Sequence, residues 1–214
     1  VRLVDLHPSL GGDELLARFV PPRRFADVRF ETYLPSPDHP SQAEALARVE
    51  ALAKPADAGG RGFFGRRRGG SAAPPGLYLD GGFGVGKTHL IAALWHAHPG
   101  PGAYLTFEEL TALIGFIGME AAIAAFDEHR LLCLDEFELD DVANTLMTVT
   151  FLRGVLSRED ARIATTSNSL PDRLGEGRFS AEDFRREIAA ISAHFDVVRI
   201  DGPDVRARRT VLRE

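Results

Sequence analysis

The octapeptide Gly81-Gly82-Phe83-Gly84-Val85-Gly86-Lys87-Thr88 satisfies the pattern G-x-x-x-x-G-K-[ST] without a gap. Its glycines admit backbone angles closed to other residues, so successive amide N–H groups can turn inward around phosphate oxygens. A helix that opens at the end of the loop adds partial positive charge at the same place. Lys87 is placed to reach the β and γ phosphates, and Thr88 to offer its hydroxyl to Mg²⁺. With His89, the next residue, the stretch from Gly81 onward forms the expected phosphate-binding segment. A dinucleotide fingerprint G-x-G-x-x-G is absent, because counting on from Gly82 and Gly84 brings the last position to Lys87. The expected ligand is a nucleoside triphosphate.

Two further clusters carry chemistry. Leu131-Leu132-Cys133-Leu134 is an apolar run ending in Asp135-Glu136. A buried parallel strand of this kind delivers its C-terminal end beside the phosphate loop. There Asp135 suits the hydration shell of Mg²⁺ and Glu136 the activation of an attacking water. Cys133 points into the sheet packing and is assigned no chemistry. In Ala164-Thr165-Thr166-Ser167-Asn168, Asn168 is the residue chosen to sense the γ-phosphate, since its amide both donates and accepts.

Positioning these groups needs a particular scaffold. Strands are expected at Gly76–Asp80, Ala103–Phe107, Leu131–Leu134, Arg162–Thr166 and Asp196–Ile200. Helices are expected from Gly86 to His98, from Glu108, from the acidic cap Asp140-Asp141 to Ser157, and from Ser180 to His194. Five strand–helix cycles predict a three-layer α/β/α fold around a mostly parallel five-stranded sheet. This core would occupy residues 76–214. Residues 1–54 form a leading segment with one helix, Ala43–Ala53, capped by Ser41 with Glu44 three residues on. Residues 55–75, rich in Gly, Arg and Pro, read as a flexible loop. Leu110–Phe126 is apolar but broken by Gly115 and Gly118 and is shorter than the roughly 20 residues of a membrane span, so it is expected to be buried in the core.

Composition narrows the setting. The 214 residues are 44% hydrophobic and 26% charged, enough apolar surface for a packed core. A net charge of −6 excludes a chain that coats nucleic acid by bulk charge, although Arg66-Arg67-Arg68 could form a local basic patch. One cysteine excludes an internal disulfide and fits a reducing cytoplasm. The opening residues Val1–Pro8 lack the apolar region of a secretory signal. His96 and His98 lie too close on a helix to share a metal.

In this order and spacing, GGFGVGKTHL, LCLDEF and ATTSN resemble an AAA+ ATPase. More narrowly, GLYLDGGFGVGKTHL, LDEFELDD, TTSN-x-x-PDRL and RIDGPDVRAR resemble the ZapE-type cell-division ATPases and their mitochondrial AFG-like relatives, from about Pro21 to Arg208. The resemblance implies hydrolysis of ATP with Mg²⁺, a head-to-tail ring of copies, and action on the tubulin-like FtsZ polymer at the division site, hence a cytoplasmic protein recruited there. It also implies a C-terminal lid region beyond Glu214, so the chain is expected to be a fragment. Where family arginines precede the last helix, this chain has Ala181 and Asp183. Arg178 is the first choice for the arginine offered to a neighbouring subunit, ahead of Arg185 and Arg186. Val205 replaces the family's Tyr. Phe30 and Tyr33 are placed either to cover the adenine or to pack the leading helix on the sheet. A helicase-loader or transposition-helper ATPase acting on nucleic acid shares the same motifs. A small-molecule kinase is disfavoured by an Asp-Glu pair poised for water.

Overall fold

The computed structural model describes residues 18–54, 75–137, 142–168 and 192–204. Single 3-10 turns at Arg23–Phe25 and Phe30–Thr32 precede helix α1, Pro40–Ala53. Then follow β1 (Gly76–Gly81), α2 (Lys87–Ala97), β2 (Gly102–Thr106), α3 (Phe107–Ile117), α4 (Met119–Ala125), β3 (Leu131–Asp135), α5 (Val142–Leu156), β4 (Arg162–Ser167) and β5 (Phe195–Ile200). The five strands form one sheet in the order β2-β3-β4-β1-β5, and every neighbouring pair is parallel. All strand C-termini therefore meet along one edge.

The inner strands are apolar on both sides because both sides are covered. Alternation along a strand sends neighbours to opposite faces. Leu132 and Leu134 enter the core formed with Leu110, Phe126 and Phe151, whereas Leu131 and Cys133 enter the one formed with Leu90, Leu94 and Val49. Helices α3, α4 and α5 cover the first face, and α1 and α2 the second. These are the three layers expected from the sequence.

Local chemistry sets the boundaries. Thr106 caps α3, accepting from the Glu109 amide at 3.2 Å while Glu109 reaches back to the Thr106 amide at 2.7 Å. Gly118, at φ 86°, ends α3 and opens α4, so the apolar stretch Leu110–Phe126 is mostly two short helices rather than one. Among the described residues no helix is long and apolar enough to cross a membrane.

The expected cap of α1 is corrected. The helix begins at Pro40, whose fixed φ suits the first helical position, and its N-cap is His39. Ser41 lies inside the first turn, where its hydroxyl accepts instead from the Asp201 amide at 2.9 Å. Gln42 donates to the Asp201 carbonyl at 3.0 Å, so the start of α1 is fastened to the chain leaving β5. At the opposite edge, the Phe19 carbonyl accepts from the Tyr104 amide at 2.8 Å and shields part of β2.

Candidate active site

The pairing of β1 with β4 sets Asp80 beside Ser167, and that of β2 with β3 sets Thr106 beside Asp135. The residues that follow these strand ends converge on a cavity of about 160 Å³ above the sheet. That is below the roughly 300–1,000 Å³ of a pocket enclosing a whole small molecule, and it suits a phosphate chain.

The loop between β1 and α2 has the backbone that its glycines allow. Gly84 and Gly86 adopt φ of 71° and 98°, in the left-handed region. A Cβ on Gly86 would stand 2.6 Å from the ring of Tyr33. That tyrosine is buried, donates to the Val85 carbonyl at 3.1 Å, and braces the loop from outside. Burial pushes its phenol up to about 12. The turn Phe30–Thr32 reaches α2 through His89, whose Nε2 lies 2.9 Å from Thr32 Oγ1 and 3.4 Å from the Arg29 carbonyl. Burial lowers the His89 pKa, against a smaller upward pull from the Arg29 carbonyl.

Lys87, only 9% exposed, donates from Nζ to the carbonyls of Gly81 and Gly82, at 2.5 and 2.8 Å, and to Asn168 Oδ1 at 3.1 Å. The loop lysine and the expected sensor residue are thus direct neighbours. Asp135, 4% exposed, accepts three hydrogen bonds. Oδ1 accepts from Thr88 Oγ1 at 3.2 Å and from Thr166 Oγ1 at 2.5 Å, and Oδ2 accepts from the Tyr104 phenol at 2.8 Å. Burial, and then the Asp135 charge, raise the pKa values of Tyr104 and Cys133, so both keep their protons. Cys133 is buried in the core it shares with Leu90 and Leu94, and its thiol donates to the Ile91 carbonyl at 3.4 Å.

Glu136 differs from its neighbour. Its side chain is exposed, and it alone among the described non-glycine residues has a positive φ, 55°. Thr166 imposes this turn: its hydroxyl accepts from the Glu136 amide at 3.0 Å and its carbonyl from the Phe137 amide at 2.7 Å. The strand therefore stops abruptly, with one carboxylate buried and the next in the cavity.

The structure brings together Gly84, Val85, Gly86, Lys87, Thr88, His89, Asp135, Glu136, Asn168 and the exposed ring of Phe83 around this cavity. Gly81 and Gly82 join them through the Lys87 bonds. Arg178, Arg185 and Arg186, the expected helix Ser180–His194 except its last three residues, and the basic run Arg66–Arg68 lie outside the described residues. Phe30 packs with the α1 and α2 core, and Tyr33 braces the loop, which follows the packing alternative. Phe25 lines the cavity instead, its carbonyl held 3.0 Å from His96 Nε2. Tyr104 and Thr166 were missed by sequence reasoning. Thr166 stands two residues before Asn168 in a motif already singled out. Tyr104 gave no signal beyond a phenol in an apolar strand.

The donor set fits a triphosphate with a divalent cation. A glycine cradle at a helix N-terminus and a buried ammonium suit phosphate. A carboxylate beside a hydroxyl suits Mg²⁺, which takes one or two carboxylates and completes its shell from phosphate and water.

Sheet order and loop together define the fold as that of a P-loop NTPase of AAA+ type. A family model for AFG1-like ATPases matches residues 13–213, and the chain belongs to that family. It is 32% identical over 186 residues to the cell division protein ZapE of Escherichia coli K12, an alignment covering 81% of this chain and 46% of the relative. The chain thus spans about half the length of the curated relatives it matches. Among solved structures, DnaI superposes with a TM-score of 0.64 at 19% identity, covering 86% of this chain and 93% of that one. An AMPPCP-bound DnaA from Aquifex aeolicus superposes at 0.57 and 14% identity, covering 81% and 50%. These two likenesses concern the fold.

Proposed function

We propose that this chain is the nucleotide-hydrolysing core of an ATPase that remodels a protein partner. The observation that carries the reading is the convergence of Lys87, Thr88, Asp135, Glu136 and Asn168 on one phosphate-sized cavity.

The residues divide the work. The loop amides and the α2 N-terminus cradle the β and γ phosphates, and Lys87 exchanges its carbonyl partners for phosphate oxygens. Thr88 and Asp135 hold Mg²⁺, which when bound neutralises charge building on those oxygens. Glu136, turned out of the strand, accepts a proton from the attacking water. Asn168, already in contact with Lys87, orients the terminal phosphate.

A head-to-tail ring, with an arginine from the neighbouring copy completing the site, is part of the proposal. A second cavity of about 460 Å³, which shares Phe83, Glu136 and Asn168 with the first and is also lined by Glu108, is where that arginine would enter. Arg178 is the proposed donor, and such an arginine is worth about 10³–10⁵ in rate. The likeness to a cell division protein supports action at the division site, and an FtsZ-like polymer, as the sequence resemblance implies, is the proposed partner there, on the cytoplasmic face. Phosphate release per subunit, measured against protein concentration with and without that polymer, tests the reading. It should rise with both, and a rate of zero throughout would refute hydrolysis by this chain.

A further inference from the structure

We infer that Tyr104 is a positioning residue for the carboxylate that meets the metal: it ties down Asp135 Oδ2 and thereby keeps Oδ1 turned toward Thr88. The inference rests on the Mg²⁺–nucleotide reading of the site and names a member of that site from a strand that carries no motif.

The placement follows from sheet geometry. Tyr104 in β2 pairs with Cys133 in β3, and Asp135 lies two residues beyond Cys133, on the same face of the same strand. Reaching from Tyr104 to the Asp135 carboxylate requires a long side chain with a donor at its tip. The phenol supplies both, at 2.8 Å from Oδ2. Its ring is 2% exposed, and its main chain is held between β3 and the Phe19 carbonyl, so the hydroxyl has a fixed origin.

A carboxylate rotates about the bond to Cβ and can offer either oxygen to a cation. In Asp135 the two oxygens are not equivalent. Oδ1 faces the Thr88 and Thr166 hydroxyls, and among the described residues Oδ2 accepts from Tyr104 only. Removing the phenol therefore frees rotation at the oxygen that does not face Thr88, while the Thr166 bond remains. Donors behind a metal-binding group commonly matter about 10- to 100-fold in metal affinity.

Tyr104→Phe keeps the ring and removes only the donor. The test is a fluorescent ATP analogue titrated onto wild type and variant, once in EDTA and once at increasing Mg²⁺, with thermal unfolding measured in parallel. The inference predicts equal affinity in EDTA and about a tenfold higher Mg²⁺ concentration for half of the metal-dependent gain in the variant. A purely structural phenol would lower the unfolding temperature and leave the Mg²⁺ midpoint unchanged, which would overturn the inference. Should Tyr104→Phe fail to fold, Tyr104→Met, which also lacks a donor, takes the same test. If wild type itself shows no Mg²⁺-dependent gain, the reading of the site falls instead, so the two failures are distinguishable.

Discussion

The hydroxyl oxygen of Thr166 lies 3.0 Å from the amide nitrogen of Glu136 and accepts its hydrogen bond, holding that glutamate at φ 55°. The same hydroxyl donates to Asp135. One side chain on β4 thus sets the direction of two successive carboxylates on β3. Their contrasting environments, one sealed and one open to the cavity, follow from this clamp.

Replacing Thr166 by Val keeps the shape and removes the clamp. The Glu136 amide loses its acceptor, which costs about 1–3 kcal/mol if no water replaces it. Thermal unfolding should show that loss. ATP turnover should fall about 10- to 100-fold while binding of a non-hydrolysable analogue persists. Unchanged turnover would show that the bend at Glu136 is set by other contacts.

Glu136→Gln removes the proposed base and leaves the loop untouched. The exposed side chain makes little contribution to packing, so unfolding should be unaltered and nucleotide binding retained. Turnover should drop by about 10²–10⁴. Phosphate release at wild-type rate would remove Glu136 from the mechanism.

Gly86→Ala tests the bracing of the loop by Tyr33. A side chain at φ 98° is strained, and its Cβ would approach the Tyr33 ring to 2.6 Å. Strain and crowding together should cost at least about 2 kcal/mol, read from denaturant unfolding. Combining it with Tyr33→Ala relieves the crowding and leaves the strain. The two changes should therefore be less than additive. Strict additivity would argue that the ring does not brace Gly86.

Much of this arrangement was legible in the chain. Gly81–Thr88 announced a loop, the Asp135-Glu136 pair two carboxylates beside it, and the apolar runs a parallel sheet, because each depends on local pattern. What escaped was set by contacts distant in sequence. Ser41 looks like a helix cap, but Pro40 starts the helix and the serine serves Asp201, 160 residues away. Phe25 rather than Phe30 lines the cavity, with its carbonyl beside His96, 71 residues away. Tyr104 entered the site through strand register, which the sequence of β2 alone does not encode.

Acid should destabilise the protein through His89. Burial lowers its pKa, so the folded state resists protonation while the unfolded chain takes up a proton near the ordinary value of 6.5. The resulting stability is complete above that value and is lost as pH falls through the lower folded pKa. His129 is shifted in the same direction by burial, so the wild-type slope contains both. Unfolding midpoints from pH 8 to pH 5 should decline less steeply in His89→Gln than in wild type. Equal slopes would show that burial does not lower the His89 pKa in the folded protein.

In the proposed function, Lys87 and the surrounding loop grip a triphosphate. Calorimetric titration of a non-hydrolysable ATP analogue with Mg²⁺, on wild type and on Lys87→Ala, tests it most directly. Losing a charge-assisted contact worth about 1.5–3 kcal/mol should weaken the variant by roughly 10- to 150-fold against saturable one-to-one binding in wild type. Absence of binding to folded wild type, or equal affinity in the two proteins, would contradict the account.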